Sequence, residues 1–310
     1  MSTPPIRIAT RRSRLALWQA EHAAAALRRA HPDRCVELVP VTTAGDRDRT
    51  TALRAMGGTG LFTKEIEETL LRGDADLAVH SLKDLPTVPP DGLAIAAVLP
   101  REDPADALVT RTGCAFADLP AGARLGTGSP RRAGQLRHAR PDLVVTGLRG
   151  NVETRLQKLE TEGLDAIVLA LAGLKRLGLA DRVSERLAFA LCLPAPGQGA
   201  IAIETRAGDD ASRALAATLH DATTADAVTA ERSFLRTLEG GCSVPAGALA
   251  TVTGDRLRLE AAVAAPDGSA LVRDALESPA ADATALGARL AEQLLTAGAD
   301  RCLADARPET

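Results

Sequence analysis

Residues 124–158 constrain the fold most, because a repeating strand–helix pattern coincides there with a dense set of arginines and glycines. The pattern predicts a strand, a helix, a strand and a helix at Arg124–Gly126, Pro130–Ala139, Leu143–Thr146 and Val152–Glu160. Ser129 and Asn151 are the predicted N-caps, with Pro130 at the first helical position. The stretch therefore predicts an α/β lobe whose basic side chains gather where strands end and helices begin.

Several arginines of this stretch lie at glycine turns or in the first turn of a helix. They are Arg131, Arg132, Arg149 and Arg155. A cation is disfavoured in a first helical turn unless an anion offsets it, and a guanidinium binds carboxylate or phosphate through two parallel hydrogen bonds. These positions predict a ligand with several negative charges. A solvated surface position is the alternative for any one arginine, and we assign Arg137 and Arg140, late in the first helix, to it.

The composition is that of an ordinary globular protein, with 45% apolar and 25% charged residues in a chain of 310. A net charge of −3, one Trp, four Phe and no Tyr argue against a protein that coats nucleic acid. Five cysteines without a CxxC pair support neither a disulfide framework nor a metal site. With no apolar run long enough for a membrane span and no signal-peptide pattern, we expect a cytoplasmic protein without nucleic-acid or membrane partners.

The first hundred residues predict another α/β lobe. Its predicted elements are Ile6–Ala9, Arg14–Ala30, Val36–Val41, Leu61–Leu71, Asp76–His80 and Leu93–Leu99. Ser13 is the predicted N-cap of the first helix, which offers Leu15, Trp18 and Leu27 to the core. Arg11 lies at the preceding strand-to-helix turn, where a surface arginine is the alternative to a ligand contact.

Lys83 and Asp84 follow the strand that ends at His80. Open α/β sheets bind ligands beyond the carboxyl ends of their strands, so this pair is a candidate for a binding site. A plain surface ion pair is the alternative. We assign His80 itself to packing rather than to catalysis.

The polar segment 42–60 contains three glycines near its end and is long for a connection inside a compact domain. It predicts a mobile lid or binding loop. A disordered segment without a function is the alternative.

Two segments, Arg101–Pro104 and Leu193–Gly199, predict crossings between the lobes, and Ala200–Glu204 predicts a strand that rejoins the first sheet. The predicted domains are 1–100 with 200–218, 105–194, and 222–310. Two crossings between α/β lobes predict a cleft with a hinge at its base.

The third domain is predicted to be a small α+β unit. After the predicted helix Ala211–Leu219, which ends the first domain, the predicted elements of the third are Thr224–Leu238, Arg256–Ala264, Ala270–Glu277 and Ala283–Leu295, and Arg256–Ala264 and Ala270–Glu277 are paired strands. Cys242 lies on a glycine-containing turn of this domain, which favours an exposed and reactive thiol. A buried, inert cysteine is the alternative.

Five separate segments resemble one family. They are RIATRRSRLALWQA, DLAVHSLKDLP, the run from RR through LRGNVETRL to LAGLKRLGL, PAPGQGAIAIE and ERSFLRTLEGGCSVPAG. In this order, over nearly the whole chain, they resemble the porphobilinogen deaminase (hydroxymethylbilane synthase) family. The resemblance implies an α/β fold with two lobes like those of periplasmic binding proteins, each with a mixed sheet, plus a small α+β C-terminal domain.

The resemblance also implies an activity and a cofactor. Members of this family join four porphobilinogen molecules head to tail with loss of ammonia, and release the chain with water as hydroxymethylbilane, a tetrapyrrole precursor of haem. A dipyrromethane cofactor made from the same substrate is attached through a thioether to the cysteine that matches Cys242. The substrate's acetate and propionate groups agree with the anion site that the arginines predict. Monomeric state is a further expectation from the family.

Site residues follow from the matching positions. Asp84 matches the catalytic aspartate, whose carboxylate would stabilise the azafulvenium-type cation left when ammonia departs. The cofactor-binding positions match Cys242, Lys83, Asp84, Ser129, Arg131, Arg132 and Arg155. The substrate-binding positions match Arg11, Ser13, Gln19, Arg149, Arg155 and Arg176.

This chain departs from the family pattern at three positions. Ala55 and Thr59 replace lysines of the glycine loop, and Gly128 replaces a serine of the GTSS turn. Our hypothesis is that Arg54, Arg47 or Arg49 supplies the missing positive charge.

The competing interpretation is a two-lobed anion-binding protein without catalysis. Such a protein would need neither Cys242 nor a carboxylate at Asp84, which weakens anion binding.

Overall fold

The computed structural model describes residues 4–43, 63–238 and 244–304. The chain divides into two compact units, Met1–Glu102 with Ala200–Ala225 and Asp103–Gly199 with Asp226–Thr310. The predicted division into three domains stays a prediction. Among the described residues, no helix combines the length and the apolar character that crossing a membrane requires.

The strands are β1 (Ile6–Arg11), β2 (Val36–Val41), β3 (Leu77–Ser81), β4 (Leu93–Val98), β5 (Asp106–Thr110), β6 (Arg124–Gly126), β7 (Val144–Thr146), β8 (Ala166–Ala170), β9 (Glu185–Arg186), β10 (Ile201–Arg206), β11 (Ala246–Thr253), β12 (Arg256–Ala264) and β13 (Leu271–Pro279). The helices are α1 (Arg14–Ala30), α2 (Lys64–Leu71), α3 (Pro130–Ala139), α4 (Val152–Thr161), α5 (Leu171–Arg176), α6 (Asp210–Ala217), α7 (Ala222–Thr237), α8 (Ala283–Leu294) and α9 (Asp300–Ala304).

The first unit contains a mixed sheet in the order β2-β1-β3-β10-β4. Strand β1 runs parallel to β2 and β3, whereas β10 is antiparallel to both β3 and β4. The prediction that the segment after residue 199 rejoins this sheet is confirmed, since Ala202 lies opposite His80.

The second unit contains a mixed sheet in the order β7-β6-β8-β5-β9. Its β6 runs parallel to β7 and β8, and β5 is the antiparallel strand beside β8. A further sheet, β11-β12-β13, is antiparallel and shares a core with α7 and α8 that includes Phe234 and Leu290. The α/β class, the two mixed sheets and the α+β character of the C-terminal part are confirmed. Strand β11 was not predicted, because its small residues give a weak alternating pattern.

The predicted helix starts agree with the structure. Ser13 accepts a hydrogen bond from Ala16 N, Ser129 from Arg132 N, and Asn151 from Thr154 N. These caps satisfy N–H groups that have no partner inside the helix.

Trp18 is the clearest error in the predicted core, since it is 38% exposed and stacks on His22 with ring centroids 5.1 Å apart. The buried stripe of α1 follows Ala16, Ala20 and Leu27 instead. Because this stripe has helical spacing, Trp18 falls outside it.

Arg137 and Arg140 are not solvated surface residues. Arg137 donates to the carbonyl of Pro266 at 2.8 Å and so ties α3 to the β12–β13 turn. Arg140 pairs with Asp142 at 2.7 Å and also donates to Leu119 O. Their partners lie outside the helix, so the helical pattern could not reveal them.

Glu231 on α7 joins two segments of the second unit. Its buried carboxylate accepts from Gly197 N at 2.7 Å and from Ala250 N at 2.8 Å. A buried carboxylate is tolerated when backbone donors satisfy it in this way.

We expect Glu231→Ala to lower the free energy of unfolding by about 2 to 4 kcal/mol, because two buried N–H groups lose their acceptor. Urea unfolding of the variant and of Glu292→Ala, an exposed glutamate on α8, measures the effect. The control should stay within about 0.5 kcal/mol of the parent chain. Equal stability of the two variants would show that the Glu231 contacts contribute nothing.

Candidate active site

In the first unit, the candidate residues lie at the carboxyl ends of β1 and β3, which are parallel neighbours. Arg11 ends β1 and Ser13 caps α1. Beyond β3 the chain makes one short helical turn, Leu82–Asp84, anchored by the fully buried Leu82. Parallel strands bring their carboxyl ends to one edge of the sheet, which explains why distant segments meet here.

These ends enclose a cavity of about 60 Å³, which we call the Asp84 cavity. It is lined by Arg11, Ser13, Leu15, Ala16, Gln19, Thr63, Val79, His80, Ser81 and Asp84. Four predicted site residues, Arg11, Ser13, Gln19 and Asp84, therefore share one small space. Lys83 is half-buried beside Asp84 and does not line the cavity.

One wall of the cavity is fixed by a hydrogen bond. Gln19 is 2% exposed, and its amide donates to Ser81 Oγ at 2.9 Å. Ser81 was not predicted as a site residue. Its position at the end of β3 could have identified it, because that edge also carries Asp84.

In the second unit, two strand-to-helix turns lie against each other. Thr127 N donates to Thr146 O at 2.9 Å, which joins the turn after β6 to the turn after β7. A Cβ atom at Gly128 would lie 2.7 Å from the carbonyl oxygen of Leu148, too close for a side chain unless the backbone moves. The departure from the family's serine at this position thus accompanies a tight backbone contact, one residue before the cap Ser129.

Arg131 and Arg132 surround a buried carboxylate that sequence reasoning missed. Asp106, at the start of β5, is fully buried and accepts from Arg131 Nη1 and Arg132 Nη2, each at 2.6 Å. Gln198 donates to the same carboxylate at 2.8 Å. The arginines are themselves 3% and 5% exposed. The protein itself thus supplies one negative charge against these two cations.

Burial would raise the pKa of Asp106, but the charges of Arg131 and Arg132 outweigh that effect and hold the pKa far below its usual range. Cys192 lies 3.5 Å from the carboxylate, and burial together with that charge raises its pKa to about 12. The Cys192 thiol therefore stays neutral and is a poor nucleophile.

The cluster keeps a positive excess, since two guanidinium groups surround one carboxylate. Nε of Arg131, Nε of Arg132 and Nη1 of Arg149 are buried and have no hydrogen-bond partner among the described residues. Buried donors of this kind are costly unless an acceptor or counter-charge offsets them. The excess positive charge of the described residues around Ser129 suits a ligand that carries carboxylates.

Two further predicted arginines are anchored to backbone carbonyls. Arg155 Nε donates to Gly150 O at 2.8 Å, and Arg176 Nη2 donates to Gly199 O at 2.6 Å. Such bonds fix the planes of the guanidinium groups, which favours bidentate contact with a carboxylate.

Several candidate residues lie outside the described residues. They are Cys242, Arg47, Arg49, Arg54, Ala55 and Thr59. The attachment cysteine and the lid hypothesis therefore stay predictions.

Comparison with known proteins decides the family. The protein-family model described as "Porphobilinogen deaminase, dipyromethane cofactor binding domain" matches residues 6–214. The family model of the porphobilinogen deaminase C-terminal domain matches residues 225–296. The chain belongs to the porphobilinogen deaminase family. Among curated relatives, porphobilinogen deaminase of Syntrophotalea carbinolica is 56% identical over 98% of this chain and 96% of the relative. The porphobilinogen deaminase of Pelotomaculum thermopropionicum is 51% identical over 98% of this chain and 97% of the relative.

Membership makes the chain a transferase with a dipyrromethane cofactor-binding domain, and the non-catalytic anion-binding alternative is not favoured. Among solved structures, the chain is similar to the periplasmic VFT2 domain of Bordetella pertussis BvgS, with a TM-score of 0.43 and 16% identity over 70% of this chain and 86% of that chain. A similarity this low supports no statement about function.

We expect Asp106→Asn to lower the free energy of unfolding at pH 7 by about 3 to 5 kcal/mol, because two buried guanidinium groups lose their counter-charge. The direction in which this stabilisation changes with pH follows from the lowered pKa of Asp106. The unfolded chain takes up a proton near pH 4, before native Asp106 does, so the stabilisation is present above about pH 4 and is lost as pH falls further.

Urea unfolding at several pH values tests this prediction, with the exposed Asp118→Asn as control. The difference between Asp106→Asn and the parent chain should shrink below about pH 4. A difference that does not depend on pH would contradict the charge argument.

Proposed function

We propose that this chain is a hydroxymethylbilane synthase that joins porphobilinogen units at the Asp84 cavity, with Asp84 as the catalytic carboxylate. The observation that carries the proposal is that Asp84 shares this cavity with Arg11, Ser13 and Gln19. A cavity lined by both an aspartate and an arginine suits a substrate that carries carboxylates and passes through a cation.

The role of Asp84 follows from the charge that the reaction develops. When the aminomethyl group of porphobilinogen loses ammonia, positive charge spreads over the pyrrole ring. A carboxylate fixed near that ring stabilises the charge, and it does so more effectively in a small cavity than in bulk water. The bond between Gln19 and Ser81 supports the proposal, because it holds one wall in place while the charge appears.

We assign the second set of residues to the cofactor and the growing chain. When bound, the dipyrromethane supplies the pyrrole carbon at which the first porphobilinogen is added. Cys242 attaches it, and its carboxylates are held by Lys83, Ser129, Arg131, Arg132 and Arg155. Arg149, Arg155 and Arg176, with Arg11, Ser13 and Gln19, bind the carboxylates and ring of the incoming substrate. The positive excess around Asp106 supports this assignment, as does Nη1 of Arg149, for which the described part of the chain supplies no hydrogen-bond partner.

We further propose that the protein works in the cytoplasm as a monomer. The odd number of cysteines without a CxxC pair agrees with a reducing compartment. The monomeric state rests on the family resemblance, and light scattering of the purified protein measures it directly.

The intact mass of the purified protein tests the cofactor assignment. We expect the parent chain to carry an excess mass equal to two linked pyrroles, and Cys242→Ser to lack it, because only a thiolate at this position forms the thioether. Cys192→Ser is the matched control, since that thiol is buried and neutral. If the parent chain, purified from cells able to make porphobilinogen, carried no excess mass, the interpretation as an anion-binding protein or an inactive relative would be favoured.

The rate of ammonia release tests Asp84. We expect Asp84→Ala to reduce it by about 100-fold or more, because the developing cation loses its fixed counter-charge, while the circular dichroism spectrum stays that of the parent chain. The exposed Asp91→Ala serves as control. Turnover of Asp84→Ala close to that of the parent would remove the charge-stabilisation argument.

A further inference from the structure

His80 lies between the Asp84 cavity and two buried acids. It lines the cavity, is 5% exposed, and its Nε2 lies 3.4 Å from Glu204 Oε2. Glu204 is 1% exposed and Glu67 is 7% exposed. The assignment of His80 to packing accounts for its burial but not for the acids behind it.

The sheet register explains how the acids reach this place. His80 on β3 lies opposite Ala202 on β10, and Glu204 lies opposite Ala78, so histidine and glutamate are diagonal neighbours on one face. The two alanines leave space for both polar side chains. Helix α2 covers this face through Ile66 and Leu70 and contributes Glu67.

The polar atoms of this group are not satisfied by hydrogen bonds. His80 Nε2, Glu204 Oε2 and Glu67 Oε1 are buried without a hydrogen-bond partner among the described residues. Burial, with the nearby charge of Glu204, raises the pKa of Glu67, so Glu67 keeps its proton to higher pH than an exposed glutamate. A buried imidazole at ion-pair distance from a buried carboxyl group is arranged to accept a proton, because a carboxylate at that distance stabilises the imidazolium.

The reaction at the cavity needs such an acceptor. The substrate enters with its amine as ammonium, and cleavage of the carbon–nitrogen bond releases NH₃ with the bonding electron pair. Formation of the new carbon–carbon bond then expels one proton from a pyrrole carbon. Each addition thus yields one NH₃ and one H⁺, which leave together as ammonium. A base separate from Asp84 that takes this proton and passes it to NH₃ leaves Asp84 ionised throughout, ready to stabilise the next cation.

We infer that His80 is this proton acceptor and that Glu204, supported by Glu67, is the positioning residue that stabilises its protonated form. Neutral His80 takes the proton through a ring-nitrogen lone pair and then passes it to NH₃, which becomes NH₄⁺. In a cavity of about 60 Å³, His80 and Asp84 are at most a few water molecules apart. The inference rests on the proposed function, because it assigns a residue to the same cavity.

The charged groups that face His80 come from four elements. Glu204 lies on β10, Glu67 on α2, Asp84 on the turn after β3, and Arg11 at the end of β1. Within the ranges that the structure describes, Glu204 is the one acid at direct ion-pair distance from the imidazole. Its substitution should therefore change the titration of His80 most.

The first test measures ammonia release in His80→Gln, with the exposed His22→Gln as control. Glutamine keeps the size and polarity of the side chain but cannot take up the proton. We expect turnover to fall by about 100-fold or more, with KM within a few-fold of the parent value and the dipyrromethane mass retained. Turnover within twofold of the parent, or a loss confined to KM, would overturn the inference.

The second test does not depend on activity or on the folding of a His80 variant. The ring resonances of His80 are titrated by NMR in the parent chain and in Glu204→Gln, with the exposed His22 as internal reference. We expect the His80 ring to titrate, with a midpoint lower by about one pH unit or more in Glu204→Gln. An unchanged midpoint, or no titration, would overturn the inference. Absence of the two-pyrrole mass from the parent chain would instead contradict the proposed function, and the NMR result would remain valid.

Discussion

The second unit depends on the contact of Asp106 with Arg131 and Arg132. A fully buried carboxylate between two nearly buried guanidinium groups is stable only while all three are present, because each lone charge would be costly in the protein interior. The contact joins β5 to the start of α3, and Gln198 adds the return segment. It therefore fixes the turn that carries Ser129, and it leaves one positive charge in excess near that turn.

The contact of Asp106 with Arg131 and Arg132 also orients guanidinium groups, which the family activity needs for binding carboxylates. Each added pyrrole brings more carboxylates, so guanidinium groups that are already oriented lose less freedom when a ligand arrives. The hydrogen bonds of Arg155 and Arg176 to backbone carbonyls likewise orient these side chains before a ligand binds. A carboxylate such as Asp84 opposes the binding of anions, which agrees with the role proposed for it in stabilising a cation. The roles proposed for the arginines, in binding, and for Asp84, in catalysis, thus place separate demands on one chain.

The sequence was sufficient wherever the determinant was local. The caps Ser13, Ser129 and Asn151 were predicted because each interacts with a residue three positions ahead. Partners from distant segments could not be predicted, so Asp106 was missed and Arg137 was misassigned. Strand β11 was not predicted, because its small residues give only a weak alternation of apolar and polar positions. The family resemblance supplied the activity, which no local pattern contained.

The two mixed sheets explain why the partners of two buried acids, Glu204 and Asp106, could not be predicted from the sequence. In each sheet, one antiparallel strand lies beside the central parallel strands, β10 in the first and β5 in the second. Each of these strands carries a buried acid, Glu204 or Asp106, next to a basic group of its own unit. Because such a strand pairs with β3 or β8 from far along the chain, its acid cannot be matched to a partner by spacing alone. In each sheet the antiparallel strand thus places a buried carboxylate beside a basic group, where it can stabilise the charged form of that group.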